Sequence, residues 1–393
     1  MNSQEPKRRP KRRAPQNDRA VLKKVGLMAA FVIIAALLAL LASVYAERLA
    51  GQNKYVVEAD ESASSEAAPS AAADTRAPKV QLLEASLTRI GKSLNSRLGI
   101  AMVDLQSGEA VHYNGEQLMP QQSVSKLWVA LTALEQADQG LLDLAERGTV
   151  RRGDLTLFHQ PIRKKVLANG SFTSTYADFM NRALVGSDNT ANNTLLEKVG
   201  GPEAVRRVLE AKGLGAIRFG PGERIMQSQL AGLEWDQSYS LGKTFFEVRK
   251  SVPHAKRRQI FDDYVSNPVD GATTLAMAQA LAKLAYGELL TEASTNTLLG
   301  LMRDAKSGPN RLKGGLPEGW QIAHKTGTGQ VLDIVPPGVM GEQTGYNDVG
   351  ILTAPNGARY VVAVMIGNTK APVPQRMDMM HAVVAAIAEY HGS

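Results

Sequence analysis

Residues 25–46, VGLMAAFVIIAALLALLASVYA, form an apolar run of 22 positions without a charge. At a rise of about 1.5 Å per residue, a helix of that length spans roughly 33 Å, against a bilayer hydrocarbon core of about 30 Å. Lys and Arg crowd only its N-terminal side, in residues 1–24. That asymmetry predicts a basic cytoplasmic tail, a single-pass anchor in the inner membrane and an exported, periplasmic body. A cleaved signal peptide is the alternative, with Val44 and Ala46 as small residues at the cleavage site. Cleavable apolar regions run about 7–15 residues, which favours a retained anchor. Residues 47–80, including EADESASSEAAPSAAADTRA, nearly lack large apolar side chains and read as a flexible tether.

Apolar periodicity resumes near Gln81, where VQLLEASLTRIGKSLN predicts an amphipathic helix. LGIAMVDLQSGEAVHYNGEQ predicts two strands around a Ser107-Gly108 turn. From Pro120 to about Met302 the pattern is mostly helical, with Pro202 opening one helix and Gly213 closing it. Strands return in GWQIAHKTGTG and in DVGILTAPNGARYVVAVMIG, a hairpin turned at Asn356-Gly357, before a last helix in PQRMDMMHAVVAAIAEYHG. Strands at both ends of a helical middle predict an α+β domain over residues 81–393. The terminal strands would share one antiparallel sheet, the helical middle would form a second lobe, and a site would lie in the crevice between them.

With 393 residues, 44% of them apolar, the chain can bury a sizeable core. A net charge of +7 points first to nucleic acid. Residues 1–24, however, hold nine Lys or Arg against Glu5 and Asp18, which accounts for the whole excess. The body is balanced, and no nucleic-acid partner is expected. The absence of cysteine excludes disulfides, thiolate nucleophiles and Cys-ligated metals, and suits an oxidising compartment. There is no His-Glu-x-x-His and no Gly-x-Ser-x-Gly. Gly242-Lys243-Thr244 imitates a phosphate loop but has Gln237 where that loop needs glycine, and Gly213-Leu-Gly215 is followed by Arg218 rather than a third glycine. No metal and no organic cofactor is expected.

The chemistry concentrates in MPQQSVSKLWVALTALEQ, residues 119–136, where Ser123 and Lys126 stand three apart at a predicted helix start. A serine hydroxyl is a poor nucleophile until a base takes its proton, and residues i and i+3 of a helix share a face. The field at a helix N-terminus favours developing negative charge. A polar helix start with a solvated lysine would look the same, and Ser240-Leu-Gly-Lys243 repeats the spacing. What distinguishes the first pair is its company. Ser187-Asp188-Asn189 lies 64 residues beyond Ser123, and Lys325-Thr326-Gly327 lies 138 beyond Ser187. Ser-Asp-Asn is also a good helix cap, a role compatible with catalysis.

The three motifs in this order resemble those of class A β-lactamases and penicillin-binding proteins. The segments SDNTANNTLLEKVGGPEAV, TTLAMAQALAKLAYGELLTEAS and LPEGWQIAHKTGTG extend the resemblance to class A β-lactamases over most of residues 81–393. It implies a two-lobed fold, a five-stranded antiparallel sheet flanked by helices beside an all-α lobe. It also implies a serine hydrolase that opens a β-lactam ring through an acyl-enzyme on Ser123, which water then clears. Lys126 becomes a candidate base, and Ser187 would sit between two lysines and pass a proton to the leaving nitrogen. Asn189 would bond the substrate's side-chain amide, and Lys325 and Thr326 its carboxylate. Gly327 would leave the strand edge open for close approach. The backbone N–H groups of Ser123 and Thr328 would form the oxyanion hole.

The spacing of the family's deacylating glutamate falls on Glu223 in GPGERIMQSQ, with Gln227 in place of the family's asparagine. Pro221 stands where the family has an arginine, although that arginine's aspartate partner persists as Asp270. Between them lies an insert at about residues 235–269, with Phe245, Phe246, Val248, Ile260 and Phe261 among basic residues. It reads first as an extra helix packed on the lobe, otherwise as a lid or a docking surface. Phe158 and His159 fall at the family's gate aromatic. A monomer acting on a small-molecule β-lactam or cell-wall peptide is expected. Two rivals share the motifs: a penicillin-binding or D-alanyl-D-alanine carboxypeptidase acting on peptidoglycan, and a non-catalytic module binding cell-wall peptides.

Overall fold

A computed structural model describes residues 76–333 and 341–393. The basic tail, the apolar run at 25–46 and nearly all of the tether lie outside the described residues. Among the described residues no helix is long and apolar enough to cross a membrane.

Helix α1 (Pro78–Ser93) begins inside the stretch read as tether. Proline suits a first helical turn, where its missing N–H is not needed, and Val80 is already buried. Strands β1 (Ser96–Asp104), β2 (Ala110–Tyr113) and β3 (Leu118–Pro120) follow, then a 3₁₀ turn over Gln122–Ser125 that runs into helix α2 (Lys126–Asp138). Next come β4 (Arg147–Arg151), α3 (Ile162–Asn169), β5 (Ser171–Thr175), α4 (Tyr176–Val185), α5 (Asn189–Lys198), α6 (Gly201–Ala211) and α7 (Glu223–Leu230). The insert forms α8 (Thr244–Ser251) and α9 (His254–Ser266). After it come β6 (Gly271–Thr273), α10 (Thr274–Ala285), α11 (Glu292–Arg303), β7 (Gln321–Thr328), β8 (Gln343–Thr344), β9 (Tyr346–Thr353), β10 (Arg359–Thr369) and α12 (Val373–Gly392).

The main sheet runs β2-β1-β10-β9-β7 and is antiparallel, with the two-residue β8 paired to the end of β10. This is the expected five-stranded sheet. The run YVVAVMIG in β10 is continuously apolar because both faces of the sheet are covered. Val362, Val364 and Ile366 join Leu83 and Leu87 of α1 and Val383, Val384 and Ile387 of α12. Val361, Ala363 and Met365 turn the other way, onto Trp128 of α2 and Met277 and Leu281 of α10. That second core continues into α4, α5 and α6, so sheet and helical lobe share one interior. The β9–β10 hairpin turns through Pro355 and Asn356, with Gly357 N–H bonded to Ala354 O at 2.9 Å. Gly357 takes φ +88°, a left-handed conformation that glycine adopts without strain.

The helical middle also holds strands that the sequence pattern did not predict. β4 and β5 pair antiparallel across RGTVR and SFTST. Polar side chains dominate both strands, and only Gly148 and Val150 are fully buried, so no apolar alternation announces them.

Candidate active site

Met119 and Pro120 of β3 pair with Ala272 and Gly271 of β6, which fixes the chain leading into the 3₁₀ turn that carries Ser123. Just ahead of Ser123, Gln122 has φ +53°, a strained value for a non-glycine residue. Its conformation is held from several sides. Its N–H donates to Asp270 Oδ2 at 2.7 Å, its Nε2 donates to Tyr264 Oη at 2.6 Å, and its Oε1 accepts from Gln227 Nε2 at 2.9 Å. Ser123 itself lines a cavity of about 890 Å³ together with Ser187, Asn189, Glu223, Thr326 and Thr328. The motif residues, far apart in sequence, converge on one space.

Beneath that space lie two buried ammonium groups. Lys126, 1% exposed, donates to Ser187 O at 2.8 Å, to Ser187 Oγ at 3.4 Å and to Asn189 Oδ1 at 2.5 Å. Lys325, 0% exposed, donates to Ser187 Oγ at 3.0 Å and to Thr326 O at 2.9 Å. The Ser187 hydroxyl therefore sits between the two lysines. Desolvation pushes Lys126 below the usual lysine range, opposed by Glu223 and Asp188. Desolvation, then Lys126 and Arg311, push Lys325 well below it. Lys126 was expected to reach Ser123; instead its hydrogen bonds go to Ser187 and Asn189, because a buried ammonium must satisfy its donors on the nearest acceptors. Lys325 lies behind Ser187 rather than in the cavity wall, and Thr326 lines the cavity with its hydroxyl 2.7 Å from Ser307 Oγ.

Asp188 caps α5. Its Oδ1 accepts from Thr190 and Ala191 N–H at 2.9 and 3.0 Å, and its Oδ2 accepts from Ile162 N–H at 2.8 Å at the start of α3. Capping leaves the residues on either side to face the centre. Asn189 Oδ1 accepts a hydrogen bond from Lys126 Nζ, and its Nδ2 donates to Leu157 O and Glu223 Oε1, both at 2.9 Å. Both ends of the expected substrate-amide ligand are thus engaged within the protein. The bonding fixes the amide's orientation, acceptor toward ammonium and donor toward carboxylate. Glu223 opens α7 and is half-buried; desolvation pushes its carboxyl above the usual range, opposed by Lys126.

Gly327 does not line the cavity. A Cβ there would lie 2.3 Å from Gln121 O and 3.2 Å from Val124 Cγ2. The open edge expected for substrate is instead occupied by the turn bearing Ser123, which packs directly against β7. Thr328 Oγ1 accepts from Arg311 Nη2 at 2.5 Å. Arg311, which sequence reasoning missed, also donates to Gly327 O and Asn347 O and lies 3.7 Å over the Tyr346 ring. It sits in an irregular Gly-Pro segment where no motif marks it.

The insert supplies a partner for Asp270. Tyr264 of α9, 5% exposed, donates to Asp270 Oδ1 at 2.7 Å. Burial, then Asp270, pushes its phenol well above the usual range, so it stays a neutral donor. Asp270 is held by the Tyr264 phenol and by the Gln122 N–H. Phe245 buries against Leu157 and Ala231 of the helical lobe, while Phe261 and Val265 bury against Leu332 in the segment after β7, so the insert packs on the lobe and also beside the sheet. It also contributes Phe246 and Arg249 to the cavity wall. Phe158 stands there as well, at φ +60° and edge-on to Phe245 at 5.2 Å, while His159 Nε2 lies 2.9 Å from Gly186 O. The decoy Ser240 is buried, donating to Gln237 O. Among the described residues no cluster of His, Cys, Asp and Glu could hold a metal ion.

A serine above two buried lysines, with a second serine between them and a glutamate opposite, is the layout of a serine acyl-transfer site. The model of the β-lactamase enzyme family matches residues 81–391, and the chain belongs to that family. It is similar to β-lactamase VEB-1 of Pseudomonas aeruginosa, 26% identical over 73% of this chain and 83% of that protein. It is also similar to β-lactamase Toho-1 of Escherichia coli, 26% identical over 79% of this chain and 89% of that protein. A solved ancestral class A β-lactamase (GNCA) superposes with a TM-score of 0.61 at 28% identity, covering 78% of this chain and 99% of that one.

Proposed function

We propose that this chain is a serine β-lactamase with Ser123 as nucleophile. The observation that carries the reading is the Ser187 hydroxyl, bridging two buried lysines at the floor of the cavity that Ser123 lines. Ser123 Oγ loses its proton to Glu223 or Lys126 and bonds to the ring carbonyl carbon. The oxyanion forms toward the N–H groups of Ser123 and Thr328. The C–N bond then breaks, and the nitrogen takes a proton from Ser187, which is replenished from a lysine. Water, deprotonated by Glu223, adds to the Ser123 ester and releases the acid. The raised Glu223 carboxyl suits a base working near neutral pH. Arg311 lines the wall beside Thr326 and Thr328, with Lys325 buried behind Ser187, and its charge favours a substrate carboxylate there.

The test is turnover of a chromogenic cephalosporin together with intact-mass detection of acylated Ser123. Sustained turnover that is lost in Glu223→Ala supports the reading. A long-lived adduct with negligible turnover in the wild-type protein would favour a penicillin-binding peptidase, and no adduct at all a binding module. We also infer from residues 1–46 that a single inner-membrane anchor holds the body in the periplasm. Retention of the full-length chain in the membrane fraction after carbonate washing tests that.

A further inference from the structure

The insert lengthens the cleft. The cavity that begins at Ser123 passes Phe158 and reaches Phe246 and Arg249 of α8 and Val331 and Asp333 beyond β7. Its volume of about 890 Å³ lies near the top of the roughly 300–1,000 Å³ usual for small-molecule sites. Space therefore remains beyond a bicyclic nucleus seated at Ser123.

Two features mark the outer half. Phe158 and Phe246 are 36% and 42% exposed, yet neither is loose. Each packs edge-on against the buried Phe245, at 5.2 and 5.5 Å between ring centres. Two rings are thus held with apolar surface open to the cavity, an arrangement that gains stability only when something covers it. Arg249 is 8% exposed, and its two hydrogen bonds both use Nη2, to Val331 O and to Leu332 O. Its Nε is buried without a partner, and among the described residues it forms no ion pair. Burial and the neighbouring Arg257 hold its pKa below the usual value, opposed by Asp333. That carboxylate is engaged by Arg257 at 2.7 Å and by His254 at 3.0 Å. The Nε is closed off from the cavity, so Nη1, which makes no hydrogen bond among the described residues and is not enclosed, is the donor left for a ligand anion.

We propose that this outer half is a subsite for the substrate's acyl side chain, and that it takes an aryl group carrying a second carboxylate. The ring lies against Phe158 and Phe246, and the carboxylate accepts from Arg249. The subsite rests on the β-lactamase reading and deepens it. It is separate from the wall around Thr326 and Arg311, where the carboxylate of the nucleus belongs.

The experiment compares benzylpenicillin with its α-carboxy derivative on wild-type protein, Arg249→Met and Arg249→Lys. In Arg249→Met, KM for the carboxylated substrate should rise roughly 10- to 100-fold, the loss of one charge-assisted hydrogen bond, with kcat little changed. Benzylpenicillin should shift by less than about threefold, within one neutral contact, and Arg249→Lys should recover most of the difference. An equal loss on both substrates makes Arg249 a pin for Val331 and Leu332 and overturns the subsite. So does indifference of both substrates. If benzylpenicillin is turned over normally while the carboxylated substrate gains nothing from Arg249, the subsite fails and the β-lactamase reading stands. If wild-type protein acylates Ser123 with neither, both fall together.

Discussion

At the scale of single residues, the centre is arranged around what burial does to charge. Glu223 meets Asn189 Nδ2 on one side and the field of Lys126 on the other, yet desolvation prevails and its carboxyl is raised. Deacylation, which needs the carboxylate, should therefore fail on acidification at a pH above the ordinary carboxylate range. Glu223→Gln keeps an acceptor for Asn189 but loses the base. Its expected phenotype is a burst of one equivalent followed by a steady rate lower by about 10²–10⁴, with acylated Ser123 accumulating. Stopped-flow traces and intact mass report both quantities, and an unchanged steady rate would assign the base elsewhere. Gly327 makes a different kind of demand. Its added Cβ would lie 2.3 Å from the backbone oxygen of Gln121, which cannot rotate away as a side chain could. Gly327→Ala should push β7 from the nucleophile turn and reduce the acylation rate at least about tenfold, a shift of only 1.4 kcal/mol in the barrier. Pre-steady-state acylation measures it; a normal rate would mean the turn yields freely.

At the scale of elements, the insert is the part with most left to explain. Through Tyr264 it closes a loop of hydrogen bonds from Asp270 to Gln122 and on to Gln227, joining α9, the nucleophile turn and α7. Tyr264→Phe keeps the packing but strands two buried polar groups, at a cost of about 1–3 kcal/mol. Denaturant unfolding should register that loss, and the acyl-enzyme should persist longer because Gln122, to which Gln227 of α7 donates, loses its own anchor on Tyr264. A stability loss without a change in acyl-enzyme lifetime would make the loop purely architectural. The same network shows what could be read from sequence. Ser123, Lys126, Ser187 and Lys325 could be picked out because three short motifs follow one another in the order of a known family, although the Ser123–Lys126 spacing alone reads equally as a polar helix start. The β9–β10 hairpin and α12 were legible because apolar runs and Asn356-Gly357 are local signals as well. Tyr264, Arg249 and Arg311 were not, since each acquires its role only through partners that the fold brings from elsewhere in the chain. β4 and β5 were missed for a related reason: strands whose exposed positions are polar and whose buried positions are few leave no period of two.

At the scale of the whole molecule, the site lies where sheet and helical lobe meet, and it holds four ionisable groups in an interior that disfavours their charged forms. Lys126 and Lys325 are lowered, while Glu223 and Asp270 are raised, burial being the first cause in each case. The two signs act oppositely on stability. For a raised carboxyl, the folded state binds more protons than the unfolded one between the ordinary carboxylate range and the raised value, so stability falls as pH rises through that window. For a lowered lysine, the folded state binds fewer protons between the lowered value and 10.5, so stability climbs as pH rises through that interval. Near neutral pH both penalties are in force, and the fold carries them for the sake of the site, as enzymes commonly do. Glu223→Gln removes one of them. It should melt a few degrees above wild-type protein near neutral pH, and the gap should close on acidification as the wild-type carboxyl takes up its proton. Thermal unfolding of the two proteins across that range decides the matter. If Glu223→Gln melts lower at neutral pH, the attraction between Lys126 and Glu223 outweighs their shared desolvation, and the charged pair is a net support of the fold.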